Sequence, residues 1–225
     1  MEVSTIVFLG ILLLLIILIL VFRKPINLLI IRIRFGKFSY QFVKKFKKYA
    51  NKSPYPYCFK DDIMPYLRLI VSKREVAEQF ISEKEIHFEN LDRSLTIDEL
   101  IKKQGEPTCY NVFRIKNAEL RAYGYTIHKF ETNLKCVFFF LNGLFFMAEY
   151  LVDSIKEVDL NLVATSIFEQ TEIKQTAPIT NFVIDCKNNT SILFYENGFS
   201  LLIRYLDNNN QDFPKKSSVK ENLKI

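Results

Sequence analysis

Residues 3–22 read VSTIVFLGILLLLIILILVF, an apolar run that contains no charged residue and no proline. A helix of this length rises about 30 Å, which is the thickness of the hydrocarbon layer of a bilayer. A backbone in lipid must satisfy its own hydrogen bonds, so a single helix is the structure that suits this run. We therefore predict a transmembrane anchor over residues 1–22 and a single-pass membrane protein.

A cleaved signal peptide and a buried core helix are two other interpretations of this run. Signal peptides begin with basic residues, have a shorter apolar stretch and end at a small-residue cleavage site. This chain begins Met1-Glu2, and VFRKP (21–25) offers no pair of small residues. A core helix rarely needs so long an unbroken apolar run. An uncleaved anchor fits the sequence better than either alternative.

The basic residues beside the anchor indicate its orientation. Residues 23–52 contain ten cations and no acidic residue, whereas no basic residue precedes the apolar run. Basic residues close to a membrane span stay in the cytoplasm. We expect the N-terminus outside the cell membrane and the rest of the chain in the cytoplasm. A periplasmic or extracellular domain is the alternative.

A basic amphipathic segment follows the anchor, over residues 23–57. Its aromatic residues from Phe35 to Tyr49 recur at the spacing of one helical face, and lysines occupy most of the rest. Such a helix beside a span suits the headgroup layer, where each cation contributes about 1 kcal/mol. The alternative is a helix packed on the domain with its lysines in solvent. The residues expected at the membrane surface are Arg23, Lys24, Arg32, Arg34, Lys37, Phe38, Phe42, Lys44, Lys45, Phe46, Lys47 and Lys48.

The basic character of the chain belongs to this segment alone. The whole chain carries +6, but residues 53–225 sum to −3. A nucleic-acid partner inferred from the overall pI is therefore excluded, and anionic lipid headgroups are the partner that we expect for the cations.

The remaining residues are long enough for one domain, over 58–206, that buries about 70 % of its unfolded surface. The prolines of SPYPY (53–57) disfavour a helix and mark a linker. Residues 207–225 are polar and lysine-rich, and we expect a disordered tail there. Most of the twenty-one phenylalanine rings should lie in the core.

A predicted helix precedes each of the two groups of strands in the domain. Thr96 and Glu99 form a capping box, and Gly105 followed by Pro107 ends that helix. A second helix is predicted over 154–171, with Ile155, Val158, Leu162 and Ile167 facing inward. One or two further helices are expected within 61–85.

Strand patterns follow each helix. The predicted strands cover 110–116, 121–130, 134–141, 144–152, 180–186, 191–196 and 199–206. Asn142-Gly143 predicts a hairpin because both residues tolerate positive φ. Val137 to Leu141 is apolar on both faces, which is typical of an interior strand. The order helix–four strands–helix–three strands predicts an α+β fold of antiparallel meanders with helices packed against them.

The four cysteines are far apart in the sequence, at Cys58, Cys109, Cys136 and Cys186. No C-x-x-C pair occurs, and a cytoplasmic domain favours free buried thiols. Disulfides are the alternative in an oxidising compartment.

The sequence shows no motif that is typical of catalysis or of metal binding. His87 and His128 have no other ligand at metal-binding spacing, and no glycine loop or nucleophile elbow occurs. Glu149 ends an apolar run, and we expect it to face water; a buried functional carboxylate is the alternative. The sequence predicts no catalytic residue, no metal, no cofactor and no enzyme activity.

The segment TIDELIKKQGEP (96–107) resembles the capped helix and glycine stop of small α+β domains, namely the SmpA-type outer-membrane assembly lipoproteins and the β-lactamase-inhibitor-like domains. In those domains too the motif leads into a meander that ends in an Asn-Gly hairpin, as residues 138–146 do here. The resemblance covers about 55 residues, and it implies a protein-binding domain without catalytic residues. This chain has no lipobox cysteine near its start.

Three functional hypotheses follow from these observations. The leading one is a membrane-tethered module at the cytoplasmic face, of the immunity, inhibitor or envelope-accessory type, whose sheet or hairpin edge binds a protein. The second is a peripheral domain that senses anionic lipid through its basic helix. The third is an enzyme of unknown type.

Overall fold

The structure is a computed structural model that describes residues 3–59, 78–91, 94–115, 118–152, 154–174 and 181–209. The chain divides into two compact units, residues 1–54 and residues 55–225. The predicted tail lies outside the described residues from position 210 onward, and so does most of the segment 61–85.

The first unit consists of two helices. Helix α1 (Val3–Phe35) contains the predicted apolar run and continues through Pro25, well beyond the predicted anchor. Within the described residues it is the one helix long and apolar enough to cross a membrane, and no protein covers its apolar stretch. Helix α2 (Tyr40–Ala50) begins where the Ser39 hydroxyl accepts a hydrogen bond from the Phe42 amide at 3.2 Å. It ends at Asn51, which has a φ of 54°.

The second unit is built on one eight-stranded sheet, and the α+β class is confirmed. Its strands are β1 (Glu78–Ser82), β2 (Cys109–Ile115), β3 (Ala118–Lys129), β4 (Thr132–Leu141), β5 (Leu144–Val152), β6 (Phe182–Cys186), β7 (Thr190–Glu196) and β8 (Leu201–Asp207). Their order in the sheet is β1-β6-β7-β8-β5-β4-β3-β2. All neighbours are antiparallel except β1 and β6. The two meanders, β2–β5 and β6–β8, therefore join where β5 pairs with β8.

Local turn chemistry builds the meanders. Asn142 and Gly143 have φ values of 50° and 87°, so the predicted hairpin between β4 and β5 is confirmed. Val137 to Phe140 are fully buried, and β4 has a neighbour on each side, as the doubly apolar pattern predicted. Among the described residues ten phenylalanine rings are buried, which is fewer than the majority of the twenty-one that the composition led us to expect.

The predicted arrangement is wrong before the first meander. One or two helices were expected within 61–85; the structure describes residues 78–85 of this segment, and there residues 78–82 form strand β1, which runs parallel to β6. The ring of Phe80 packs edge-on against Phe168 and Phe182, at 5.4 and 6.3 Å between centroids. This packing and the ladder to β6 outweigh the local sequence preference.

In the described parts of the second unit, two helices accompany the sheet. Helix α3 (Ile97–Gln104) carries the predicted capping box, with the Glu99 amide donating to Thr96 Oγ1 at 3.3 Å and the Thr96 amide donating to Glu99 Oε2 at 2.9 Å. Helix α4 (Leu160–Thr171) is shorter than predicted because Asp159 caps a new start after a 3-10 turn at Ile155–Glu157.

The inward face predicted for this helix is partly wrong. Val158 and Ile167 are buried, Ile155 is half-buried, but Leu162 is exposed. The start at Leu160 sets the helical phase so that Val163, Ile167 and Phe168 face the core.

Candidate functional site

A buried ion pair lies at the junction of the two meanders. Glu149 on β5 is directly opposite Arg204 on β8, and the Arg204 Nε donates a hydrogen bond to Glu149 Oε1. Glu149 is 0 % exposed and Arg204 is 1 % exposed. The expectation that Glu149 faces water is therefore wrong, because β5 has strands on both sides and its centre is covered by protein.

Burial and the neighbouring Arg204 shift the pKa of the Glu149 carboxyl in opposite directions. Burial raises the pKa of this carboxyl above its usual range, and the Arg204 guanidinium opposes the rise. Glu149 Oε2 accepts no hydrogen bond from the part of the chain that the structure describes. The pair lies at the seam of the sheet, and removing one partner would leave the other buried without its counterpart, which is energetically unfavourable.

Sequence reasoning missed Arg204. Glu149 and Arg204 each stand alone as a charge within an otherwise apolar strand, FFMAEYLV and LLIRYL. Two lone, opposite charges of this kind are a sequence pattern that predicts a buried pair, because neither charge is stable in a core without the other.

A second polar cluster connects the 3-10 turn at Phe88–Asn90 to the sheet. The Tyr150 hydroxyl and the Lys129 ammonium both donate to Glu89 Oε1, and Lys129 Nζ lies 3.1 Å from the Tyr150 oxygen. The Phe88 ring packs beside this cluster, 5.0 Å from the ring centroids of both Tyr150 and Tyr205. The cluster is chemically a carboxylate neutralised by a lysine, and it attaches the turn to β3 and β5.

A disulfide joins the start of the second unit to the edge of the sheet. Cys58 and Cys109 are bonded, with their Cα atoms 4.9 Å apart. The expectation of free thiols is wrong for this pair, because residues 56–58 lie alongside β2 and bring the two cysteines together. Cys136 and Cys186 are free and buried, as expected.

The segment before the disulfide is held by several further contacts; we call residues 55–59 the tether end. The Tyr110 amide donates to the Pro56 carbonyl at 2.8 Å. The buried side chain of Asn111 makes three hydrogen bonds to the backbone of this segment. Its Oδ1 accepts hydrogen bonds from the Cys58 and Phe59 amides at 2.7 and 3.1 Å. Its Nδ2 donates a hydrogen bond to the Phe59 carbonyl at 3.3 Å. Lys135 Nζ donates to the Cys58 carbonyl at 2.6 Å.

The residues predicted at the membrane surface fall into three groups by exposure. Phe38 and Phe42 are buried, so protein covers this part of the apolar face. Lys37, Lys45 and Phe46 are half-buried. The exposed members are Arg23, Lys24, Arg32, Arg34, Lys44, Lys47 and Lys48. The structure contains no lipid, and their contact with headgroups stays a prediction.

Among the residues that the structure describes, the outer strand edge at β1 is the most exposed apolar feature of the sheet. Strand β1 is the outermost strand beside β6, and Ile81 on it is 82 % exposed. The Glu78 amide donates to the Asn181 carbonyl at 2.9 Å, toward β6. Successive residues of a strand direct their backbone groups to opposite sides, so those of Gln79 and Ile81 point away from the sheet. No strand of the described residues pairs with this edge, and an edge of this kind can accept a further strand.

Comparison of the chain with family models, with curated proteins and with solved structures finds no match. The resemblance of residues 96–107 to the SmpA-type and inhibitor-like domains therefore stays a prediction. What the fold defines is a long apolar N-terminal helix followed by an α+β unit with a large, mostly antiparallel sheet.

Proposed function

We propose that this protein is a membrane-anchored interaction module whose sheet edge binds an extended segment of a partner protein. The observation that carries the proposal is the outer edge of β1, where Ile81 is 82 % exposed. Strand addition at such an edge supplies main-chain hydrogen bonds, and exposed side chains along it supply selectivity. The partner is a protein of the envelope or a target of inhibition.

The anchor and its charges suggest where this binding takes place. Helix α1 holds the protein in the membrane, and the ten cations of residues 23–52 favour the cytoplasmic side for the second unit. The disulfide is an opposing feature, since such bonds persist in oxidising compartments. We propose the cytoplasmic placement because the charge asymmetry is complete, and the extracytoplasmic placement is the alternative.

The edge is tested by capture from solubilised native membranes with matched variants of the full chain. Ile81→Lys places a charge on the edge and should abolish retention of a partner that the wild-type chain retains. Phe199→Lys is the control, because Phe199 is also 82 % exposed but lies in the turn before β8. Equal retention by wild type and Ile81→Lys would show that β1 is not the binding edge.

A second candidate function is sensing of anionic lipid by α2. Lys44, Lys47 and Lys48 are exposed on this helix, while Phe38 and Phe42 near its start are buried. Each lysine near an anionic surface contributes about 1 kcal/mol. In nanodiscs, amide exchange of residues 40–50 should be slower with anionic than with zwitterionic lipid. Lys→Glu changes at 44, 45, 47 and 48 should remove this difference; a difference that persists rules the function out.

A further inference from the structure

The last hairpins of the two meanders have related sequences. Residues 142–151 read NGLFFMAEYL, and residues 197–206 read NGFSLLIRYL. Both segments begin with Asn-Gly and end with Tyr-Leu, and the positions between are apolar apart from Ser200 and one charge in each. That charge is Glu149 in the first segment and Arg204 in the second, at the same distance from the glycine. A constant offset of 55 residues therefore relates the two segments.

The ladder between β5 and β8 follows the same offset. Three successive pairs of this ladder are Ala148 with Tyr205, Glu149 with Arg204 and Tyr150 with Ile203. Moving each of these β5 residues forward by 55 positions, and each of the β8 residues back by 55, produces the same three pairs. A local two-fold axis therefore passes between Glu149 and Arg204. The ring centroid of Phe88 lies 5.0 Å from those of Tyr150 and Tyr205, which this axis relates.

The neighbouring strands and both helices follow the same axis. The order β3-β4-β5 on one side of it corresponds to β6-β7-β8 on the other. The Tyr125 hydroxyl of β3 donates to the carbonyl of Gly105, where α3 ends, at 3.3 Å. The Phe168 ring of α4 packs 4.6 Å from that of Phe182 on β6. Tyr125 and Phe182 lie in one transverse row of the sheet, so the two helices pack on the same face. An axis perpendicular to the sheet produces this arrangement.

Strands β1 and β2 do not follow the symmetry. Strand β2 continues the first meander and is antiparallel to β3, whereas the corresponding place beside β6 is taken by β1. Strand β1 precedes both helix-and-meander units in the chain, so neither unit sets its direction. Its separate origin explains why β1 and β6 form the one parallel pair among the described strands.

The axis decides which residues meet when two halves pair through this edge. Two copies of the first half would place Glu149 against a second Glu149, and two copies of the second half would place Arg204 against a second Arg204. Like charges in a buried site repel each other and also lose their hydration. The two unlike halves instead bring together a carboxyl and a guanidinium, and the Arg204 Nε donates a hydrogen bond to Glu149 Oε1. The central pair thus distinguishes the unlike half from an identical one.

We propose that the sheet unit consists of two copies of one helix-and-meander unit joined in a single chain, and that Glu149 and Arg204 select the partner at their shared edge. The half that ends in β5 accepts the half that ends in β8 and rejects a second copy of itself. This selection matters during synthesis, because β5 is made before β8 and its edge then has no partner. An unpaired edge is a template for another chain, and Glu149 opposes pairing with the same edge of a second copy.

Charge reversal tests the symmetry, with urea unfolding of the full chain in detergent micelles. Glu149→Arg and Arg204→Glu each place like charges at the axis and should lower the urea midpoint or prevent folding. The double variant Glu149→Arg/Arg204→Glu should recover most of the lost midpoint, because the axis makes the two positions equivalent. A double variant that is no more stable than the single variants, or that also fails to fold, overturns the proposal.

Refolding by dilution from urea tests the selection of the partner, with size-exclusion chromatography at graded protein concentrations. Glu149→Gln/Arg204→Met removes both charges at the axis, so identical edges are no longer rejected. This variant should form oligomers at a protein concentration at least about tenfold lower than the wild type does.

The matched control is Glu119→Gln/Arg121→Met, which removes an ion pair on β3, away from the axis, and should behave as the wild type does. Equal oligomer formation by the wild type and the variant without charges at the axis overturns the selective role of the pair. Neither experiment involves the outer edge of β1, so the binding proposal is judged separately.

Discussion

Replacement of Arg204 by methionine tests the buried ion pair most directly. Methionine keeps most of the apolar stem and removes the charge that faces Glu149, which is 0 % exposed. A buried carboxylate without a counter-charge is very unfavourable, and the folded protein can avoid it by keeping Glu149 protonated. Removing one partner of a buried pair typically costs about 3–5 kcal/mol.

The loss of folding stability caused by Arg204→Met at a given pH depends on the cost of protonating Glu149. Unfolded Glu has a pKa of about 4.3, so protonating it in the fold at about pH 7 costs about 3.7 kcal/mol, and at about pH 5 about 1 kcal/mol. A carboxyl whose folded pKa is raised adds stability below its unfolded pKa and loses it as pH rises. Arg204→Met should therefore be destabilised much more at neutral than at mildly acidic pH.

The assay is urea unfolding of the full chain in detergent micelles, followed by near-UV circular dichroism of the tyrosines, because the chain has no tryptophan. The matched control is the double variant Glu149→Gln/Arg204→Met, which keeps the buried shape but cannot titrate at this site. The stability of this double variant should carry no pH dependence from this site, because neither residue titrates. If Arg204→Met loses less than about 1 kcal/mol at neutral pH, or loses as much at acidic pH, the pair does not behave as a buried couple.

Three further results are expected. Gly124→Ala should destabilise the protein by about 1–3 kcal/mol, because its Cβ atom would lie 2.1 Å from Cys109 Sγ and 2.8 Å from Cys58 Sγ. This loss of stability should be smaller when Cys109 is replaced by serine. Equal losses in urea unfolding with and without Cys109→Ser would contradict the close approach. Cys186, whose pKa burial raises to about 11, should resist iodoacetamide at about pH 8 in the native protein and react once urea unfolds it, as mass analysis will show. Burial raises the pKa of Tyr123 to about 12 and also raises that of Tyr205, so stability present below about pH 10 should be lost as pH rises. The difference in tyrosinate absorbance between the wild type and the Tyr123→Phe/Tyr205→Phe variant should increase with unfolding and not before it.

Local patterns explain which elements could be predicted. The capping box of Thr96 and Glu99 and the Asn142-Gly143 turn each depend on residues at most three positions apart, and both are present. The apolar run from Val3 needs no partner to be a helix, because a backbone in lipid can satisfy its hydrogen bonds only within itself. Helix caps, turns and continuous apolar runs depend on interactions between residues that are close in the sequence, so the sequence alone predicts them.

The sequence by itself thus determined an apolar N-terminal helix, an α+β unit and the Asn142-Gly143 turn. Only the tertiary structure decided the parallel pairing of β1 with β6, the Cys58–Cys109 bond across 51 residues, and the contact of Glu149 with Arg204 across 55. The alternation of side chains along a strand shows which of them share a face. Which strand lies beside it depends on how the whole sheet is assembled. For that reason the strand pairing that brings these charges and sulfurs into contact is a property of the folded chain alone.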